Sequence, residues 1–240
     1  MFPTDGVKMD KKAIFKKYRH ALWALYIIAY LIAFFIVEKV VSSDSNYWVS
    51  YMKLDDMIPF CEYFVVFYVL WYPYMALTGL YLIFRDPDAF RRFMWFIMIG
   101  FTASIIFFFI FPNGQNLRPE TFEHDNIFTS LIGSLYAADT NTNVLPSMHV
   151  IGSMATFFAF IDCKLLRKRK LLTFCSFVLA VMINLSTVFI KQHSFLDVIA
   201  GLGVSAVIYL IVYVFIKRHM VKKALKKEAA DISRGENGEV

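Results

Sequence analysis

Residues 195–216 read FLDVIAGLGVSAVIYLIVYVFI, and Asp197 is the single charged side chain in that run. About 20 residues at 1.5 Å rise cross a hydrocarbon core of roughly 30 Å, so the run reads as a membrane-spanning helix. A carboxylate near the start of such a helix is costly and by default functional. Five further apolar runs precede it, at 21–41, 60–84, 93–111, 147–163 and 171–190. The expected fold is all-α, a polytopic membrane bundle of six transmembrane helices. Residues 21–216 form the membrane domain, flanked by basic tails at 1–20 and 217–240, the second partly disordered.

Composition supports this class. The chain is 58% hydrophobic and 18% charged, where a soluble domain carries about 25% charged residues. A net charge of +6 raises the question of nucleic acid. The basic residues, however, sit beside the ends of apolar runs and form no patch with interleaved aromatics, so the expected partner is the bilayer and not nucleic acid. When alternate connections are assigned to alternate faces, all but four of the 25 Lys and Arg residues fall on one side. The four are Lys39, Lys53, Arg118 and Lys191. That asymmetry places both termini in the cytoplasm. A bacterial plasma membrane fits, and an endomembrane with a lumenal face gives the same pattern.

The connections differ in character. Residues 42–59 are short and acidic, with Asp44, Asp55 and Asp56 beside interfacial aromatics. Residues 85–92 read as a charged loop, 112–146 as a long turn-rich one, and 191–194 as a tight hairpin. Residues 217–240 read as a short interfacial helix that frays. Ala21 to Val37 is longer than a cleavable signal core, so it reads as a retained span. Cys61, Cys163 and Cys175 lack C-x-x-C spacing and are expected to be buried thiols.

Two stretches carry chemistry: Leu145-Pro146-Ser147-Met148-His149, and Lys191-Gln192-His193-Ser194-Phe195-Leu196-Asp197. With the topology above, both reach one membrane face, together with Arg118 and Ser186. Phosphoryl transfer needs donors and cations for the phosphate oxygens, a nucleophile, and a proton source for the leaving oxygen. His193 and Asp197 share a helix face at i, i+4, and His149 supplies a second imidazole that titrates near neutrality. Ser147 opens a helix, whose free N–H groups favour anions. Each residue alone also has a plainer role. Ser194 to Asp197 matches a capping box, His149 suits an interfacial histidine, Lys191 a snorkelling anchor, and Arg118 a loop charge. No paired broken helices or inverted repeat suggest a transporter.

At these residues the chain resembles the type 2 phosphatidic acid phosphatase superfamily, whose motifs can be written K-x6-R-P, P-S-G-H and S-R-x5-H-x3-D. Arg118-Pro119 matches the end of the first motif. Pro146-Ser147-Met148-His149 matches the second, and Ser186, His193 and Asp197 match the third. The resemblance covers roughly 93–216, the implied catalytic core. It implies His193 as the nucleophile forming a phosphohistidine, Asp197 as its orienting carboxylate and His149 as the general acid. Arg118 and Ser147 would bind the phosphate of a phosphorylated lipid, with no metal or other cofactor. Three positions depart: Met148 replaces glycine, Phe111 the first-motif lysine, and Thr187 an arginine. Lys191 is the candidate to restore one charge in substrate binding. The variant pattern is similar to the branch with inositol phosphorylceramide synthase. The expectation is a lipid phosphatase acting at the extracytoplasmic face, with a lipid phosphotransferase using an alcohol acceptor as the alternative.

Overall fold

Helix boundaries along the chain follow from a few capping residues and from the apolar runs between them. The computed structural model describes residues 11–42, 45–222 and 225. Helix α1 (Lys11–Tyr18) continues through a 3-10 turn at Arg19–Ala24 into α2 (Leu25–Val40). Helix α3 spans Val65–Arg85 and α4 spans Pro87–Ile110, with only Asp86 between them. Then come α5 (Ile127–Ala138), α6 (Met148–Asp162), the short α7 (Lys164–Lys168), α8 (Lys170–Phe189) and α9 (Phe195–Tyr209). Helix α9 runs on through a π-helical stretch at Leu210–Ile216. The expected tail residues 1–10, 223–224 and 226–240, and Asp44 of the acidic loop, lie outside the described residues.

Among the described residues, five helical stretches are long and apolar enough to cross a membrane: Phe15–Val40, Glu62–Arg85, Pro87–Ile110, Lys170–Phe189 and Phe195–Lys222. This is an all-α, helical membrane protein. Large apolar side chains such as Phe35, Leu77, Phe174 and Phe215 point outward from these helices, as contact with lipid tails requires. The run expected to span at 147–163 is shorter in the structure. Helix α6 has 15 residues, about 23 Å long at 1.5 Å rise. It is the central element, packed against α3, α4, α8 and α9. Without a hydrophobic drive between helices in lipid, close approach of small residues holds such bundles together. A Cβ on Gly152 would meet Trp71 of α3 at 2.8 Å, and one on Gly201 would meet the Ser147 carbonyl oxygen at 3.0 Å. Those two glycines let α3 and α9 close on α6.

The loop expected at 85–92 is instead a helix junction. Asp86 accepts from the Ala89 N–H at 3.0 Å, and Pro87 occupies the first helical position, a strong helix start. Arg92 is thereby carried into the bundle. It pairs with Asp162 at the end of α6 at 2.6 Å, and Lys217 pairs with the other oxygen of Asp162 at 2.6 Å. Cys163 is buried, Cys61 is partly buried and Cys175 is exposed on α8, where burial was expected.

At the opposite end of α6, the connection after α2 folds against the segment that follows α4. Its strand β1 (Trp48–Val49) pairs in parallel with β2 (Asn113–Gly114). The Ser50 N–H donates to the Gly114 carbonyl at 2.7 Å, and a 3-10 turn follows at Lys53–Asp56. Residues 112–146, expected as a turn-rich loop, contain α5, capped by Asn126. Asn113 then pins the approach to α6, its side-chain oxygen accepting from the N–H groups of Val144 and Leu145.

Candidate active site

The tight hairpin between α8 and α9 presents His193. The Thr187 carbonyl accepts from both the Gln192 and His193 N–H groups, at 2.9 and 3.0 Å. Lys191 adopts the left-handed region, with φ of 53°. Ser194 caps α9, and Asp197 closes the capping box by accepting from the Ser194 N–H at 2.9 Å. The same Asp197 oxygen lies 3.3 Å from His193 Nδ1. One carboxylate oxygen thus both caps the helix and faces the imidazole. A ring nitrogen facing a carboxylate carries the proton, which leaves the lone pair of His193 on Nε2.

Asp197 is fully buried and needs more than one donor. Its second oxygen accepts from the Ser50 hydroxyl at 2.5 Å. Ser50 is held by the strand pair, so the loop after α2 buttresses the carboxylate behind His193. Asp55 of the same loop is buried, not solvated. It accepts from the Ser194 hydroxyl at 2.6 Å and the Phe195 N–H at 2.7 Å, covering the N-terminal donors of α9. The Lys191 ammonium donates to the carbonyls of Asp55 and Ile58 at 2.9 and 2.5 Å. Burial pulls it below the usual lysine range, against the opposing charges of Asp55 and Asp56.

His149 faces the pair from α6. Its ring centroid lies 5.9 Å from that of His193, edge on, and 4.3 and 4.5 Å from the rings of Tyr68 and Trp71. Trp71 Nε1–H donates to the His149 carbonyl at 3.0 Å. The His149 Nε2 is buried and has no partner among the described residues. Ser147 caps α6 and its N–H donates to the Asp197 carbonyl at 3.2 Å, joining the two helix starts. Met148, at the glycine position of the motif, lies within 3.3 Å of the Tyr30 hydroxyl through its sulfur. Ser186 is buried and turned onto the Ile183 carbonyl.

Arg118 lies beside the hairpin. Its Nη1 donates to the carbonyls of Tyr136 and Asp139, and its Nη2 to the Thr140 carbonyl and, at 2.6 Å, to Gln192 Oε1. The guanidinium also sits over the Tyr136 ring. The structure thus brings His193, Asp197, His149 and Ser147 together, places Arg118 against the residue before His193, and ties Lys191 to main-chain carbonyls. Phe111 and Thr187 supply no cation. Ser50, Asp55, Tyr68, Trp71 and Gln192 were not expected at the site. Tyr68 and Trp71, at i, i+3, share a helix face. That spacing is the only local signal among them.

Asp139, at the end of α5, feels this cluster. Burial, with Glu38 adding to it, pushes its carboxyl up to about 6, against the pull of Arg118 and His193. An acid whose pKa rises on folding binds its proton more tightly in the folded state. Its stabilisation is present below the ordinary value of 3.8 and is lost as pH rises through about 6. Asp139→Asn should therefore melt with the wild type at pH 4 and above it at pH 8 in detergent. A variant melting below the wild type at pH 8 would show the carboxylate to be stabilised in place.

Residues 109–220 match the family model described as PAP2 superfamily. This stretch is a PAP2 superfamily domain. It holds Arg118, Ser147, His149, Ser186, His193 and Asp197. The domain is of the phosphoric ester hydrolase type, and PAP2 membership of this stretch implies phosphatase or phosphotransferase activity on phosphate esters. No curated protein and no solved structure matches the chain. Ser50, Asp55, Tyr68 and Trp71 lie outside the PAP2 domain, although they contact its histidines, its carboxylate or its last helix start.

Proposed function

We propose that the enzyme is a membrane lipid phosphatase that hydrolyses a phosphomonoester or diphosphate of a lipid at the extracytoplasmic face. The catalytic core is about 93–216. The observation that carries this is the buried His193–Asp197 pair, 3.3 Å apart, with the His149 ring 5.9 Å from that of His193. In the first step, the His193 Nε2 lone pair attacks phosphorus and the P–O bond to the lipid breaks. His149 gives its proton to the departing oxygen, an alkoxide from a monoester or a lipid phosphate from a diphosphate. In the second step, water attacks the phosphohistidine, His149 takes a proton, the N–P bond breaks and orthophosphate leaves. Arg118 and the donors at Ser147, the N-cap of α6, hold the phosphate oxygens. Lys191 fixes the hairpin through its contacts with the Asp55 and Ile58 carbonyls.

A lipid substrate is supported by an apolar cavity of about 480 Å³ between α2, α3 and α4. Trp71 forms part of its wall, and the Trp71 ring packs at a tilt of 42° against His149. A hydrocarbon chain in that cavity would end against Trp71, which also neighbours the histidine. The distribution of Lys and Arg supports a site end of the bundle that faces away from the cytoplasm.

The test is orthophosphate release by purified protein in detergent with EDTA present. The panel holds phosphatidic acid, phosphatidylglycerophosphate and undecaprenyl diphosphate. Release from at least one, undiminished by EDTA, is the expected result, because protein donors alone balance the phosphate charge. Release restored only by added divalent cation would overturn the metal-free scheme. A second reading is supported by Phe111 and Thr187, which leave the site with fewer cations than the motif prescribes. It is a phosphotransferase that passes a phospho-headgroup to an alcohol. Turnover of intact phospholipid only when an alcohol is supplied would establish it.

A further inference from the structure

We propose that Gln192 is a direct ligand of the transferred phosphoryl group, acting as a pair with Arg118; this rests on the phosphoryl-transfer function proposed above. Gln192 is 2% exposed and immediately precedes His193. Both residues hang by their N–H groups from the Thr187 carbonyl, so the amide side chain and the imidazole are positioned by one atom. The orientation of the amide is decided by chemistry. Arginine has donors only, so the Gln192 atom 2.6 Å from Arg118 Nη2 is the oxygen. The amide nitrogen is then turned away from Arg118. It is buried and has no partner among the described residues.

Arg118 shows the same imbalance. Its two terminal nitrogens make four hydrogen bonds within the protein. Its Nε is buried without a partner among the described residues. Two side chains in direct contact thus each keep an unanswered N–H donor beside His193. Native proteins leave few buried donors unmatched, and each such group calls for an acceptor. A tetrahedral oxyanion supplies several. With no cation at Phe111 or Thr187, a neutral amide takes over part of the phosphate contact, and Arg118 contributes its Nε–H in place of its committed fork.

The probe is inorganic phosphate, with its dissociation constant measured by calorimetry on detergent-solubilised protein. Gln192→Glu keeps an oxygen for Arg118 but replaces the amide donor by a negative charge. Gln192→Met removes the donor without adding charge. Phosphate should bind about 10–100-fold more weakly to the Met variant, and more weakly still to the Glu variant, whose melting temperature stays at or above that of the wild type. Wild-type affinity in either folded variant overturns the assignment of Gln192 while leaving the phosphatase reading intact. Wild-type protein that neither binds phosphate nor turns over any phosphate ester overturns both.

Discussion

His193→Ala should lower turnover by about 10⁴–10⁶-fold, the scale on which removing a nucleophile acts, with the protein still folded in the membrane. The imidazole is expendable for folding because the hairpin is held by main-chain bonds to Thr187 and by the Ser194 cap, neither of which uses the ring. Asp197 would lose one of its three donors and keep those from Ser50 and Ser194. The loss should therefore fall on the chemical step, with detergent melting close to wild type. Brief incubation of the wild type with labelled substrate should trap phosphate on the protein in an acid-labile, base-stable form, and the variant should trap none. Turnover within tenfold of wild type in His193→Ala would remove this residue from the nucleophile role.

The second large effect lies at the other end of α6. Asp162→Ala should destabilise the protein by about 3–5 kcal/mol, the usual result of stripping the partner from a buried charge. Arg92 carries the penalty. Its side chain is 10% exposed against 39% for Lys217, so water can reach the lysine but not the guanidinium. For a chain of this size that corresponds to a fall in melting temperature of roughly 6–20 °C. The double variant Arg92→Met with Asp162→Leu should recover most of the loss, because an apolar replacement of the whole pair removes the uncompensated charge. Asp162→Ala melting within 2 °C of wild type would show that the cations find other partners.

Much of the bundle is legible in the sequence because lipid imposes one strong rule, a long apolar run for each crossing. Five such runs became long helices. The run at 147–163 obeyed a different rule, since a helix enclosed by α3, α4, α8 and α9 contains small residues for packing and need not match the thickness of the hydrocarbon. Asp86-Pro87 and Asn126 carry ordinary helix-start signals. The charges and turn formers around them outweigh these signals, so in the sequence the junction and α5 read as loop.

The His-x3-Asp and Pro-Ser-x-His elements were legible for another reason. Their geometry is local, one helix turn in the first case and one helix start in the second. Ser50 and Asp55 had no such signal. Their partners Asp197 and Ser194 lie 147 and 139 positions away, and nothing in a short acidic loop states that it will fold back over the last helix. Gln192 was in plain view beside His193. Its significance lies in an unanswered hydrogen-bond donor, which only three-dimensional accounting reveals.

The contact from Ser50 to Asp197 also bears on how the protein is made. Loop 45–61 leaves the ribosome early, inserted between the first two membrane helices, and waits for a carboxylate that emerges only with the last. Until α9 enters the bilayer, Ser50 and Asp55 have no helix start to cover and His193 has no carboxylate behind it. On the proposed function the nascent chain is therefore expected to pass through insertion catalytically silent, with its site assembled when α9 docks and the loop after α2 closes on it.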